Sequence, residues 1–455
     1  MKFNKFFESK VKQAGVSINW LAGETNINRG SIYGIFKGTH KLHPEQLTKI
    51  TCALGLNKTE ENKFCELYFQ DYFGESEYNN VKYIFDALND FDRFIDVKPV
   101  AYDIAVTGNV LNNMHEIVAT LQSEIDKRPE KLITNFSYHD REIDAVIFHG
   151  VKSGKIARLC HFINTDGNIV QTVFESLKYM LYRSFPLVVS GTSAENSIWA
   201  YYAVTENVLL FYGAEGGVRI TDQAVVQRVL QQLKKTVLSC TPLGKPADDG
   251  FSVVDENLAA PTKEHLDVYM YEPSTPVLHD EELFTNLAKE DLPMVDTLVP
   301  LMVGYYTRLF GGLSGYDYII STTGVDRFIA SGNYSGILPV YRRPLPVSQR
   351  VRCLRQMLND VAAGKCMLVD ETKFRLPDRL TVMRYDSTVH FAGCDPTESI
   401  YCDFNIFSSV INSSVLSASL AHLKEYLIAI GGICSPDKAR SFLENRILKI
   451  DLVNQ

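Results

Sequence analysis

Between Ser17 and Gly38 the chain reads SINWLAGETNINRGSIYGIFKG, and its apolar residues fall where two helices crossed over a tight turn need them. Ser17 is placed to cap a first helix carrying Leu21 and Ala22, the second of these small enough for a close crossing. Asn26 stands where the turn requires a residue tolerant of a left-handed backbone, and Asn28 where a second helix requires a cap. Ile27, Ile32, Ile35 and Phe36 then line the inner side of that second helix. A loop running from Gly38 to Pro44 leads to LTKITCALGL, which predicts a further helix over residues 47–56.

Downstream, Thr59 opens the run EENKFCELYFQDYF, and NVKYIFDALNDFDRFI repeats Val81, Ile84, Phe85, Leu88, Phe91 and Ile95 at helical spacing until Lys98-Pro99 ends it. That stripe suits a connecting rod, a dimer-forming helix or an ordinary core helix. The rest alternates between strand-like runs (133–138, 156–163, 186–189, 198–204, 208–212) and helix-like runs (110–125, 170–182, 223–237). His139-Asp140-Arg141 and His149 fall in a stretch that reads as loop. After a Pro-, Gly- and Asp-rich stretch at 241–262, the order helix, strand, loop, strand pair, helix that begins near Phe174 recurs near Leu354. The expected architecture is therefore α+β, an all-α N-terminal head followed by a large α/β body of two duplicated lobes. Its divisions are a head over 1–72, a linking helix over 73–98, a lobe over 99–245, a connector over 246–262, a second lobe over 263–432 and a helical tail over 433–455.

With Ile18 taken as its first position, the paired-helix stretch has Leu21, Ala22, Asn26, Ile27, Ile32 and Ile35 at the places that define a DNA-reading helix-turn-helix. Together with the following helix and its closing Ala-Leu-Gly, this resembles the Cro-repressor or XRE family of transcriptional regulators over about the first seventy residues. The family often has Gln where Ile18 stands, and glycine where Asn26 stands. The resemblance implies a sequence-specific regulator, a repressor or an activator, that binds double-stranded DNA as a homodimer.

Charge agrees with a DNA-binding head. Residues 1–57 hold eight basic and three acidic side chains, a net of +5 in a chain of −8, which leaves −13 on the remainder. A basic head supplies attraction for phosphate, and an acidic body keeps the rest of the surface off the duplex. Burying Ile32, Ile35 and Phe36 leaves Arg29, Gly30, Ser31, Tyr33, Gly34 and Lys37 pointing outward. The expected DNA-binding set is thus Ser17, Asn28, Arg29, Ser31, Tyr33, Lys37 and Lys41, with Arg29 on guanine, Lys37 and Lys41 on phosphates, and Ser31 and Tyr33 on either.

Chemistry elsewhere is sparse. Nine cysteines without a Cys-x-x-Cys pair read as reduced and supply no metal site, and no cofactor is implied. No apolar run reaches membrane-spanning length, so no membrane partner is expected and the chain is placed in the cytoplasm. Arg342, Arg343 and Arg350, with Arg352 and Arg355 following, gather cations around a helix start and are candidates for an anionic or small-molecule effector. The body also resembles phospholipase-D-like sensor domains, but the catalytic pattern of that family needs His-x-Lys, four residues, then Asp. Here His422-Leu423-Lys424 is followed at that position by Ala429. No hydrolase elbow, phosphate-binding loop or zinc-protease motif occurs, so the chain is expected not to be an enzyme. The competing readings are an enzyme governed by a DNA-binding head, and an antitoxin or scaffold whose body binds another protein.

Overall fold

A computed structural model describes residues 2–91, 108–138, 140–164, 168–182, 184–189, 201–243, 245–246, 265–289, 295–334, 343–378, 380–394 and 406–453, together with 102, 104 and 106. Six helices open the chain: α1 (Phe3–Gln13), α2 (Ile18–Thr25), α3 (Arg29–Lys37), α4 (Pro44–Ala53), α5 (Lys58–Phe73) and α6 (Glu75–Asn89). Their boundaries follow local chemistry. Ser17 Oγ accepts the Trp20 N–H, Asn28 Oδ1 accepts the Gly30 N–H, and a capping box between Asn57 and Glu60 starts α5. Asn26 is left-handed at φ 54°, as the turn between α2 and α3 requires. Phe7, Leu21, Ile32, Ile35, Leu47, Ile50 and Phe64 form the interior of this bundle.

The body carries two sheets of related design. In the first, β2 (Leu132–Thr134), β3 (Leu159–Asn164) and β4 (Leu187–Val189) are parallel neighbours joined by helices Arg141–Lys152 and Ile169–Met180. The chain then crosses to the other side of β2, where β5 (Tyr201–Val204) pairs antiparallel and continues into β6 (Leu209–Gly213) and β7 (Gly216–Ile220). With the short strands β1 (Val110–Leu111) and β8 (Thr241–Pro242) the order is β1-β7-β6-β5-β2-β3-β4-β8. Helix Gln223–Ser239 covers it through Val226 and Leu230.

The second sheet repeats this plan. Strands β10 (His265–Met270), β11 (Gly315–Ser321) and β12 (Cys366–Val369) are parallel neighbours, and β13 (Leu380–Arg384) pairs antiparallel on the far side of β10. β14 (Thr388–Cys394) and β15 (Ile406–Asn412) follow, then helix Ser414–Ala429; with β9 (Lys245–Pro246) the order is β12-β11-β10-β13-β14-β15-β9. The segments β5-β2-β3-β4 and β13-β10-β11-β12 thus match in chain order, neighbour and direction. The expected duplication is present as topology, within an α+β fold.

Three sequence expectations change. Residues 141–152, read as loop, form a helix capped by Asp140, whose carboxylate accepts the Ile143 N–H and whose Ile143, Val146, Ile147 and Phe148 are buried. Val110–Leu111 is a strand, and the helix expected from 110 begins at Met114 behind an Asn113 cap. The consecutive domain order also gives way to another grouping. One compact unit comprises residues 1–89, 258–389 and 413–455, and the other comprises 90–257 and 390–412. Inside the first unit the aromatic side of α5 and α6 packs on the helix that closes the second repeat: Phe69 and Phe85 lie 4.9 and 5.4 Å from the Tyr426 ring, and Thr48 Oγ1 donates to Ala429 O at 2.7 Å. The stripe on α6 is therefore a core face. Most of the 246–262 connector and the chain near Lys98-Pro99 lie outside the described residues.

Candidate nucleic-acid interface

The outward side of α3 is built by burying the opposite side. Ile32 and Ile35 are sealed against α1 and α2, and Phe36 meets the Phe7 ring edge-on at 5.0 Å. Arg29, Gly30, Tyr33 and Lys37 remain exposed, and Ser31 is half-buried. The Arg29 guanidinium lies 5.6 Å from the centre of the Tyr33 ring, a cation over a π face that steadies both side chains without consuming guanidinium donors. Ser17 and Asn28 serve as helix caps, so their hydroxyl and amide oxygens are already engaged.

An open groove of about 750 Å³ joins Ser17 at the start of α2 to Tyr33 and Lys37 on α3, with α1 as its far wall. On that wall Glu8 pairs with Lys12 at 3.0 Å and Lys5 at 3.3 Å, and these two ammonium groups hold the Glu8 carboxyl below its usual range. Exposed pairs of this kind are weak, so both ammonium groups are free to turn to other partners. Lys41 stands apart: its ammonium lies 5.5 Å over the Tyr72 ring on α5. Gly34, expected outward, is buried. A Cβ built there would come within 2.7 Å of His40 Nδ1, because the loop after α3 folds back over it.

The arginines of the second repeat do not converge on a vacant site. Arg350 donates to the carbonyls of Leu345, Ile329 and Ala330, capping the end of helix Thr322–Ser331. Arg343 Nε donates to Asn286 O at 3.0 Å, and Arg352 pairs with Asp280 and Glu282. Arg342 lies outside the described residues.

His422 and Lys424, two residues apart on helix Ser414–Ala429, point to different neighbours. The His422 ring stacks on Phe73 at 4.4 Å, with Nδ1 2.9 Å from Glu77 Oε1. Lys424 donates to Asp317 at 2.6 Å and Asp267 at 3.2 Å. That second contact belongs to a cluster the sequence reading missed. His265 and Asp267 share one face of β10, Asp317 is the register partner of Asp267 on β11, and Arg384 grips Asp267 through two guanidinium nitrogens. The three ligand-type side chains lie within 4.8 Å of one another, yet their carboxylates already answer Lys424 and Arg384. The arrangement is a closed ion network.

The first repeat buries another such network. Lys178 pairs with Asp144 and, at 3.3 Å, with Glu175, all three sealed from solvent, and Arg141 reaches Glu175 from the surface at 3.2 Å. Beside it Tyr138 links Ser176 to His161 Nδ1, while His161 Nε2 lies 2.9 Å from the Phe136 carbonyl. Burial pushes His161 down to about 4, so this imidazole is neutral near pH 7 and donates to the Phe136 carbonyl.

No protein-family model matches the chain, and no curated protein does. A solved structure to which it is similar is phosphatidylserine synthase from Haemophilus influenzae Rd KW20: 10% identity over 82% of this chain and 99% of that one, with a TM-score of 0.23. A likeness that slight carries no argument about activity. Among the described residues, no helix is long and apolar enough to cross a membrane.

Proposed function

We propose that this chain is a sequence-specific DNA-binding transcription regulator of the XRE type, acting in the cytoplasm as a homodimer on double-stranded DNA, with its two-lobed body as the sensing and oligomerising part. One observation carries the reading. The second helix of a capped helix-turn-helix unit buries one side and leaves Arg29, Tyr33 and Lys37 exposed along the other, beside a groove walled by further lysines.

The chemistry follows from those positions. A major groove about 12 Å wide admits one helix, and a guanidinium at the N-terminal end of that helix meets the O6 and N7 acceptors of guanine with two parallel donors. Lys37, one helix length away, meets the backbone, and Lys5 and Lys12 add sequence-independent attraction. Each small head reaches few bases, so affinity comes from two heads on half-sites about one helical turn apart.

Selection of duplexes from a random-sequence pool by the full-length protein tests the reading. Enrichment of a near-palindromic motif supports it. A pool that stays random after repeated rounds at low salt overturns it.

A further inference from the structure

Gly34 leaves a gap in the exposed side of α3, and another residue fills it. Position 34 follows Gly30 by one turn and lies beside Tyr33 and Lys37, all three of which face solvent. A side chain there would widen the reading surface. The space is instead occupied by His40, whose Nδ1, Cγ and Cβ lie 2.7, 2.9 and 3.0 Å from where a Cβ of residue 34 would be.

This seat is fixed by backbone chemistry. Gly38 ends α3 in the left-handed region at φ 72°, and the carbonyl of Gly34 then accepts the N–H of Thr39 at 2.8 Å, the N–H of His40 at 3.2 Å and the hydroxyl of Thr39 at 3.1 Å. These three donors from residues 39 and 40 hold the loop against the helix. His40 itself is exposed, and among the described residues neither ring nitrogen has a hydrogen-bond partner.

We propose that His40 is a base-reading residue, its imidazole standing in for the side chain that Gly34 lacks. The inference rests on the DNA-binding reading above and deepens it: His40 contacts a purine acceptor in the major groove. A neutral imidazole carries one N–H donor and one acceptor, enough to distinguish base edges. Glycine at 34 is then required to clear the His40 side chain.

The test uses the full chain and the duplex selected by the wild-type protein, with a scrambled duplex alongside. His40→Ala is expected to lose roughly tenfold or more in affinity for the selected site, to lose little on the scrambled one, and to relax preference at one base pair. His40→Gln, whose amide also donates and accepts, is expected to keep part of that preference. Gly34→Ala, which drives the ring from its seat, is expected to behave like His40→Ala. Circular dichroism checks that the head stays helical; should His40→Ala lose helicity, His40→Gln and Gly34→Ala decide. Equal losses on both duplexes, or unchanged affinity and preference, overturn the inference while leaving the regulator reading intact. A wild-type protein that selects no duplex overturns both.

Discussion

Replacing Tyr426 with alanine tests whether the head and the second repeat form one cooperative unit. Tyr426 is 7% exposed and sits among Phe69 at 4.9 Å, Phe85 at 5.4 Å with rings at 77°, and Tyr78 at 6.5 Å. Truncating a buried aromatic costs about 3–5 kcal/mol, of which the lost ring pairs account for roughly 0.5–1.5 kcal/mol each. Those rings lie on α5 and α6, so the penalty falls on the seam and is shared by both sides. At about 1.4 kcal/mol per tenfold, a 3 kcal/mol loss corresponds to opening that is roughly a hundredfold more frequent. Hydrogen exchange on the full-length variant reads it directly: amides of α4 to α6 and of helix Ser414–Ala429 are expected to lose protection together by about that factor. Faster exchange confined to Ser414–Ala429, with α4 to α6 unchanged, would refute the shared unit.

Further expectations concern charge and recognition. Burial holds both His161 and His390 down at about 4, so each binds its proton more readily once unfolded. Their contribution is complete above pH 6.5 and is lost as pH falls toward 4, on the order of 3 kcal/mol per site. Urea midpoints of the unit holding residues 90–257 should therefore drop across that window; a flat profile would contradict it. Asp267→Asn leaves Arg384 and Lys424 short of a counter-charge at a buried site and should lower the stability of the other unit by about 3 kcal/mol, seen as a shifted denaturation midpoint. Arg29→Ala should cost about 1–3 kcal/mol on the selected duplex and relax one base position, whereas Lys37→Ala should weaken all duplexes alike; equal effects of Arg29→Ala on selected and scrambled DNA would remove it from base reading.

The head was legible because its signals are local. Caps at Ser17, Asn28 and Asn57, the left-handed Asn26 and the spacing of Leu21, Ile32 and Ile35 act within a turn or two of the chain. The repeat was legible as an order of elements, since strand polarity and helix period survive where identities do not. What stayed hidden depends on contacts across the chain. The Asp267 network draws residues 265, 267, 317, 384 and 424 from four elements, and only the His265-x-Asp267 pair on one strand face hinted at it. The helix 141–152 hides behind a polar opening, Ser137 to Glu142, that masks its apolar period. A stripe such as that on α6 shows that it must be covered without showing by what. Burial of Gly34 came from a loop residue six positions away, beyond the reach of helical periodicity.

Whether the head reads base sequence is decided by competition between two duplexes for the full-length protein: the site it selects, and a scramble of the same length and composition, titrated across salt. A preference of at least roughly a thousandfold for the selected site is expected at physiological salt, with affinity for both falling steeply as salt rises. Equal affinity for the two duplexes, at every salt concentration where either binds, would contradict it.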